Sequence, residues 1–163
     1  MKYCYTDTPI GQLLIAGDEE AIHLIGFMKN GQPQRPQAGW TGSMNGLLAE
    51  AVRQLREYFA GSRQDFDLPL APKGTDFQRK VWRTLQEIPY GETISYGELA
   101  KRVGNPKASR AVGSANGKNR IPIVIPCHRV IAGDGGLGGF GGGLSVKEKL
   151  LAIERAPRVK AAP

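Results

Sequence analysis

A cysteine and a histidine stand side by side at Cys127 and His128, and Arg129 follows them directly. A free thiol is mostly protonated at neutral pH, so a nucleophilic cysteine needs a base or a positive charge nearby. His128 and Arg129 supply both types of group, so we expect Cys127 to be an activated, ionised thiolate. Because consecutive side chains of a strand face opposite ways, Cys127 and His128 can cooperate only if Pro126 turns the backbone or a water bridges them. A bare Cys-His pair is more often structural, so the surrounding elements must decide.

The elements around this cysteine are predicted to be a buried apolar segment and three short helices. Residues 121–125 form an apolar run that we expect to be buried. Thr75 and Ser95 are good N-caps for the first two helices, and the third runs from 107 to about 117. The break at 104–106 contains a glycine and a proline. Two short helices joined by a tight turn of this kind are typical of a helix-turn-helix.

The third helix consists almost wholly of small residues around a single arginine, Arg110. Small side chains let a helix backbone approach another surface closely, and one long cation can then reach into a groove or a base stack. Tight packing against a neighbouring helix, with a solvated arginine, explains the same composition. The helix alone does not distinguish between these two interpretations.

The first part of the chain is predicted to be a small sheet with one helix. Short strands are indicated over 2–8, 12–18 and 21–27, and together they resemble an antiparallel meander. The segment 29–42 is polar and rich in Gly and Pro, which predicts a loop. Apolar residues at helical spacing then predict a helix from about 44 to 59.

The segment 68–74 has two prolines, a glycine and no periodicity, which is typical of a domain linker. A chain of 163 residues can bury one generous core or two small ones. We therefore expect an N-terminal structural domain over 1–70 and a second domain over 74–163.

Charge and cysteine usage indicate the class of partner and the compartment. Lys and Arg total 22 against 15 Asp and Glu, and the net charge of +7 favours a polyanionic partner. Cys4 and Cys127 lie far apart, and no secretory signal opens the chain, so a disulfide framework is not expected. No apolar run approaches the ~20 residues of a membrane span. We expect a soluble, cytoplasmic protein, associated with the nucleoid if prokaryotic.

The stretch 125–130, Ile-Pro-Cys-His-Arg-Val, closely resembles the active-site motif of the O6-alkylguanine-DNA alkyltransferases. Further blocks resemble the same family in the same order, at 75–78, 88–93, 95–100, 110–113, 119, 142–144 and 147–154. They cover about half of the chain, whereas residues 1–70 match only in pattern. Several separate blocks in the right order are a specific signal.

The resemblance implies a chemical role for five residues. Cys127 is similar to the acceptor that attacks the alkyl carbon in an in-line displacement, with the guanine oxygen as the leaving group. His128 would be its base, acting through a water, and Glu154 would orient that base as in a protease triad. Asn119 resembles the residue that braces the active-site turn. Tyr96 resembles the residue that bonds the guanine ring nitrogen and offers a proton to the departing base.

The resemblance also implies that duplex DNA containing O6-alkylguanine is the partner, bound through its minor groove by a monomer. The target atom lies inside the base stack, so the nucleotide must be rotated out, and Arg110 would fill the gap. The expected DNA contacts are Ser109, Arg110, Ala111, Ser114 and Arg129. The expected pocket for the base consists of Tyr96, Val130, Phe140, Gly141 and Gly142.

The glycine-rich stretch 133–143 resembles the loop that closes over the flipped base, where backbone groups approach a purine edge. A phosphate cradle is the alternative, but no Lys-Ser/Thr follows at P-loop spacing. Phe140 stands where many family members carry tyrosine, and Gly141 where several carry serine. The pocket therefore has fewer hydroxyls, and its tolerance of bulky alkyl groups is expected to differ.

The fold that the resemblance implies is α+β. A small antiparallel sheet-plus-helix domain of the RNase H-like type precedes a mostly helical, winged-helix-like DNA-binding domain. Cys4 and His23 match two zinc positions of mammalian members, but Asp18 replaces a cysteine and no histidine lies near Leu70. A structural zinc needs four good ligands, so we expect no metal and no cofactor.

Three other functions compete with irreversible alkyl transfer to the protein's own cysteine. Non-enzymatic alkyltransferase-like proteins bind the lesion and flag it, but they lack the cysteine that stands here at Cys127. A helix-turn-helix transcription regulator should carry polar base-reading side chains, and Ala108, Ala111 and Ala115 argue against that. A cysteine hydrolase would turn over its thioester, whereas a thioether formed by alkyl transfer is stable and leaves each molecule spent.

Overall fold

The structure is a computed structural model that describes residues 1–44, 46–133, 140 and 142–155. The described residues divide into two compact units, Met1–Pro72 and Lys73–Arg155. Each unit has its own buried apolar core. Within the described part of the chain, no helix is both long and apolar enough to cross a bilayer.

The first unit is built on a sheet of four strands in the order β3-β2-β1-β4. The strands are β1 Lys2–Thr8, β2 Gly11–Gly17, β3 Ile22–Gly26 and β4 Thr41–Gly42. The first three pair in antiparallel fashion, which confirms the predicted meander. The two-residue β4 pairs parallel to β1 and was missed, because it lies in a segment predicted from its Gly and Pro content to be a loop.

One helix, α1 Leu47–Phe59, packs against this sheet and contacts β1, β2 and β3. Its buried face includes Leu48, Ala51 and Leu55 at helical spacing, as the sequence predicts. It begins later than predicted, at a glycine N-cap with φ of 62°. The core beneath it shields the sheet from water on that face.

The predicted linker is partly held by the sheet. Ile22 of β3 donates its backbone N–H to Pro69 at 2.8 Å and accepts from Ala71 at 2.8 Å. These bonds give the first part of 68–74 a fixed partner along β3. The absence of periodicity in the sequence did not reveal this pairing, because a single bridged residue leaves no pattern.

The second unit is mostly helical. Its elements are α2 Asp76–Leu85, β5 Ile94–Ser95, α3 Tyr96–Val103, α4 Ser109–Gly117, a 3₁₀ turn Cys127–Arg129, β6 Val130–Ile131 and α5 Leu144–Arg155. Thr75 caps α2 in a reciprocal capping box with Gln78, and the Ser95 side chain caps α3, so both predicted caps are confirmed. Gly104 ends α3 at φ of 98°, a left-handed conformation that glycine adopts without steric cost.

The helices α2, α3 and α4 all pack against one another. These contacts hold α3 and α4, the two helices of the predicted helix-turn-helix, in place. The indole of Trp82 in α2 donates to the carbonyl of Ala115 in α4 at 2.9 Å. The strand β5 pairs parallel to β6, with Ile94 opposite Val130. This pairing brings the start of α3 beside the Cys127 turn.

Candidate active site

Cys127 is delivered by a tight turn that starts at Pro126. Pro126 has φ of −81° and ψ of 65°, and the Cys127 N–H donates to the Ile125 carbonyl at 2.8 Å, as in an inverse γ-turn. The 3₁₀ turn Cys127–Arg129 follows immediately. The backbone is therefore not extended here, and the strict alternation of a strand does not separate Cys127 from His128. The apolar run 121–125 that leads into the turn is buried, as predicted.

Two asparagines from the end of α4 and the residues after it hold this turn. The Asn119 amide donates to the Ile125 carbonyl at 2.8 Å, and its oxygen accepts from the Ile121 N–H at 3.0 Å. The Asn119 side chain is also a polar neighbour of the Cys127 thiol and acts to lower its pKa. Asn116, which sequence reasoning missed, is buried and donates to the Cys127 carbonyl at 3.3 Å. The predicted bracing position of Asn119 thus has a geometric basis.

The thiol of Cys127 is buried, with 4% of the residue exposed. Burial raises its pKa to about 11, although the polar side chain of Asn119 and the positive charge of Lys147 both act to lower the pKa. The resting thiol is therefore protonated at neutral pH. This corrects the expectation of a resting thiolate, because desolvation outweighs the polar neighbours.

Lys147 is a second site residue that sequence reasoning missed. Its side chain is fully buried on α5, and its ammonium donates to the Val130 carbonyl at 2.7 Å. Burial lowers the pKa of Lys147, and the charge of the Cys127 thiolate raises it. The ring of Phe140 lies 5.9 Å from the ammonium. Sequence analysis did not single out this lysine, because Lys is rarely fully buried and is normally expected on the solvent-exposed side of a helix.

His128, Glu154 and Arg129 form a buried network. The imidazole Nε2 lies 2.6 Å from Oε2 of Glu154. The Arg129 guanidinium donates to both carboxylate oxygens, at 2.8 Å to Oε1 and 3.1 Å to Oε2. The Gly91 N–H donates to Oε1 at 3.2 Å. The carboxylate thus accepts from three residues at once.

The charge states of this network follow from burial and from these bonds. Burial alone would raise the pKa of Glu154, but the hydrogen bonds from His128 and Arg129 outweigh it and lower that pKa to about 2. Burial lowers the pKa of His128, against the pull of the Glu154 hydrogen bond. The carboxylate is therefore ionised and the imidazole neutral. An ionised carboxylate only accepts, so Nε2 carries the hydrogen and Nδ1 keeps its lone pair.

The Nδ1 atom of His128 is buried and has no hydrogen-bond partner within the ranges that the structure describes. A buried nitrogen acceptor without a partner is costly, so such an atom calls for an explanation. The adjacent Cys127 carries a thiol proton, which makes transfer from the thiol to this nitrogen a hypothesis for the chemistry of the site.

Arg129 does not occupy the position that the sequence predicted for it. It was expected to contact DNA, but the residue is 6% exposed and its guanidinium points inward. Besides Glu154, it donates to the Ile88 carbonyl at 2.6 Å and lies over the Tyr90 ring. The positive charge suggested a phosphate contact, but a buried arginine needs an internal partner, and Glu154 is that partner.

Tyr96 and Val130 lie next to the same turn. Tyr96 is the first residue of α3, is partly buried, and faces Gly113 of α4 closely enough that a side chain there would contact its ring. Burial and, secondly, the charge of the Cys127 thiolate raise the pKa of Tyr96, so its phenol keeps its proton. Val130 is fully buried.

The rest of the predicted base pocket is only partly described. Phe140 and Gly142 are partly exposed, whereas Gly141 and residues 134–139 of the glycine-rich stretch lie outside the described residues.

The helix α4 has one exposed face and one packed face. Arg110, Ala111 and Ser114 are exposed, and Ser109 is partly exposed. The opposite face is buried and carries Val112, Ala115 and Asn116. Both interpretations of this helix therefore apply. The small residues on its inner face allow tight packing against its neighbours, and those on its outer face leave no bulky side chain around Arg110.

The N-terminal cysteine and histidine do not form a metal site in the described part of the chain, where no three metal-ligating side chains come together. His23 bonds Asp18 at 2.9 Å between Nε2 and Oδ2. Cys4 is buried, and burial raises the pKa of its thiol to about 11.

A buried cysteine, a neutral histidine whose Nδ1 has no partner among the described residues, and a helix-turn-helix with small exposed side chains are the features expected of a DNA-binding protein with a cysteine acceptor. Comparison with known proteins narrows this class. Residues 76–156 match the family model of the 6-O-methylguanine DNA methyltransferase DNA binding domain. Residues 1–72 match that of the ribonuclease-like domain of the same proteins. The predicted α+β fold class is thereby confirmed.

Individual relatives agree along nearly the whole chain. The methylated-DNA--protein-cysteine methyltransferase of Methanosarcina acetivorans is 51% identical, over 94% of this chain and 98% of its own. The constitutive enzyme of Bacillus subtilis is 46% identical, over 94% of each. The crystal structure of Mycobacterium tuberculosis OGT in complex with DNA has a TM-score of 0.88 and 45% identity, covering 95% of this chain and 93% of that one. The chain belongs to the family of 6-O-methylguanine DNA methyltransferases.

Proposed function

We propose that this protein repairs DNA by moving the alkyl group of O6-alkylguanine onto the sulfur of Cys127, once per molecule. The observations that support the proposal are the buried, protonated thiol of Cys127 and, on the next residue, a buried Nδ1 of His128 that has no hydrogen-bond partner among the described residues. The curated relatives of nearly equal length carry the name methylated-DNA--protein-cysteine methyltransferase, which supports the same reaction. Because the acceptor cysteine is present, the non-enzymatic lesion-binding alternative is not favoured.

The reaction begins with removal of the thiol proton. Nδ1 of His128 takes the proton from Cys127, through a bridging water in the arrangement that we favour, and Glu154 stabilises the imidazolium that forms. The sulfur then attacks the alkyl carbon on the side opposite the guanine oxygen. A carbon–sulfur bond forms as the carbon–oxygen bond breaks, and the product thioether does not hydrolyse.

The leaving base needs a proton, and Tyr96 is the residue that we assign to supply it. The phenol is kept neutral by its raised pKa, so it is available as a donor to the guanine ring nitrogen. The phenolate left behind regains a proton as the imidazolium of His128 gives one up, so the protein returns to its starting charge. The net change is one alkyl group on Cys127 and one unmodified guanine.

Two polar groups favour the thiolate as it forms. The polar side chain of Asn119 and the positive charge of Lys147 both act to lower the pKa of the thiol. These groups are already in place before the reaction, so little reorganisation is needed when the negative charge develops. Their effect is larger in a buried site than it would be in water.

The DNA surface that we propose is the exposed face of α4. Its small residues Ala111 and Ser114 let the backbone lie close to the minor groove, and Arg110 is positioned to occupy the space left by the extruded nucleotide. The net charge of +7 adds attraction to the duplex that does not depend on sequence.

We further propose that the protein acts as a monomer in the cytoplasm or on the nucleoid. The second unit, Lys73–Arg155, contains every described residue to which we assign a chemical or DNA-binding role. The first unit, Met1–Pro72, is assigned a structural role.

Intact-mass measurement tests the reaction directly. The wild-type protein, incubated with a duplex that contains O6-methylguanine, should gain one methyl group, and peptide mapping should place it on Cys127. Cys127→Ala should gain none, whereas Cys4→Ala, which removes the other buried thiol, should gain one as the wild type does. An unmodified wild type, or a methyl group on Cys127→Ala, would contradict the proposal. Loss of the adduct with time would instead indicate a hydrolase.

A further inference from the structure

The buried side chain of Arg129 makes several specific contacts to which the reaction described above assigns no role. Its guanidinium pairs with both oxygens of Glu154 in a two-pronged geometry, at 2.8 and 3.1 Å. The remaining terminal nitrogen donates to the Ile88 carbonyl at 2.6 Å, and the group lies over the Tyr90 ring with 5.7 Å to its centroid. The turn after α2 thus fixes the arginine, and the arginine fixes the carboxylate.

We propose that Arg129 is a positioning residue that keeps Glu154 ionised and correctly turned, so that Nδ1 of His128 stays free to accept the thiol proton. This inference rests on the proposed function, because it assigns the arginine a task within that reaction. Arg129 touches neither the sulfur nor the base in this scheme, and it acts only through Glu154 and His128.

The geometric part of the argument concerns the hydrogen on the imidazole. Glu154 must be an acceptor for Nε2 of His128 to be the nitrogen that carries the hydrogen. If the carboxyl group were protonated, it could donate to Nε2, and the imidazole hydrogen would then move to Nδ1. That tautomer cannot accept a proton from Cys127, so the chemistry depends on the charge of Glu154.

The electrostatic part concerns burial. Glu154 is 6% exposed, and burial by itself favours the uncharged carboxyl group. The guanidinium, in direct contact, offsets this preference and also disfavours a positive charge on His128. Both effects keep the pair in one state, with a neutral imidazole beside an ionised carboxylate.

Other titratable groups face the pair from neighbouring elements. Lys147 on α5 also disfavours an imidazolium, and it lies on the side of Cys127. Two tyrosines also lie near the pair: the ring of Tyr90 lies against the Arg129 guanidinium, and Tyr96 is near the Cys127 thiol. These groups remain when Arg129 is replaced, so a substitution there isolates the effect of the guanidinium.

Replacement of Arg129 by methionine keeps the length of the side chain but removes the charge. The Glu154–His128 pair should then take up a proton at a higher pH, and whichever of the two residues holds it, the free Nδ1 base is lost. An opposite charge in contact typically moves a carboxyl pKa by about 1–3 units. We therefore expect the pH below which the methyl-transfer rate falls to be about 1–3 units higher in Arg129→Met than in the wild type.

The test is the single-turnover rate of methyl transfer between pH 5 and 9, with saturating O6-methylguanine duplex. Arg129→Met should be slow at pH 6 and should recover toward the wild-type rate at high pH. Arg129→Lys keeps the charge and should lie closer to the wild type. Arg53→Met removes an exposed ion-paired arginine of α1 and should leave the profile unchanged. A loss by the same factor at every pH, or an unchanged Arg129→Met profile, overturns the proposal.

Two further measurements keep the test decisive if Arg129→Met folds poorly. Nitrogen-15 spectra of the wild-type histidines should show His128 with hydrogen on Nε2 and a bare Nδ1 between pH 6 and 8, and the opposite tautomer overturns the proposal. On a Glu154→Gln background, Arg129→Lys should cause no further change in the pH profile. A wild type that transfers no methyl group contradicts the proposed function instead, so the two failures are distinguishable.

Discussion

Acidification should destabilise the second compact unit mainly through the buried carboxylate of Glu154. Its pKa lies at about 2 in the folded chain, against an ordinary value of 4.5. The unfolded chain therefore takes up this proton near pH 4.5, whereas the folded chain does so only near pH 2. The stabilisation is complete above pH 4.5 and is lost as the pH falls toward 2.

The size of the effect follows from the distance between these two pKa values. At about 1.4 kcal/mol per pH unit, the ionised carboxylate contributes roughly 3 kcal/mol to the free energy of unfolding. Solvent screening reduces this little, because the Glu154 side chain is 1% exposed. His128 contributes a further loss of stability as the pH falls below 6.5. Burial lowers the pKa of the folded imidazole, so just below pH 6.5 only the unfolded chain takes up a proton at this residue.

Glu50 on α1 provides a matched control. Hydrogen bonds from Arg53 and then Gln54 also lower the pKa of Glu50 to about 2, but its side chain is 38% exposed. Water and salt screen an exposed ion pair, and such pairs contribute little to stability. Glu50→Gln should therefore leave the acid dependence of unfolding nearly as it is in the wild type.

Urea unfolding at pH values between 2.5 and 7 measures these contributions. Glu154→Gln should be less stable at pH 7, by about 3–5 kcal/mol, because it leaves a buried arginine without its counter-charge. Below pH 4.5, however, this variant should lose roughly 3 kcal/mol less than the wild type does. The reasoning is refuted if Glu154→Gln keeps the full acid dependence, or if Glu50→Gln removes as much of it.

Three further predictions concern the nucleophile and the DNA surface. Because burial raises the pKa of Cys127 from 9.0 to about 11, its reaction with iodoacetamide at pH 7.5 should be roughly 100-fold slower than that of an ordinary thiol, as followed by mass spectrometry. Lys147→Met should slow methyl transfer by about tenfold or more, with an unchanged DNA Kd, because the thiolate loses a favourable charge; an unchanged rate would contradict that role. Ala111→Trp should weaken duplex binding in a fluorescence titration by about tenfold or more through steric bulk on the exposed face of α4, whereas Glu87→Trp, at an exposed position in the turn after α2, should not.

Local signals in the sequence were sufficient for the elements that depend on near neighbours. The capping side chains of Thr75 and Ser95 act within three residues, and the strands of the meander are short runs bounded by turn residues. The two-residue strand β4 Thr41–Gly42 was not predictable in this way. It exists because β1 offers an open edge, and that edge lies about 40 residues away in sequence.

Long-range contacts decided the parts of the site that sequence analysis missed. Arg129 meets Glu154 across 25 residues, and in a chain of net charge +7 an arginine beside the motif suggested DNA. One signal was available: every residue from 121 to 130 is buried, and the apolar run already predicted burial for the first half of that segment. A buried arginine requires a carboxylate partner, and Glu154 in the matching C-terminal block was a candidate.

The protonation state of Cys127 connects these observations to single-turnover chemistry. A protein that is spent after one reaction loses a whole molecule to every stray electrophile, so a permanently ionised thiol would be a liability. The structure instead buries the thiol, which raises its pKa, and the next residue, His128, is an uncharged imidazole to which we assign the role of base. Activation can then be confined to the moment when an alkyl carbon is in place, because only then is proton transfer to His128 coupled to bond formation. In our proposal the buried pair of Glu154 and Arg129 belongs to the same arrangement, since it would keep that base available without making the resting sulfur reactive.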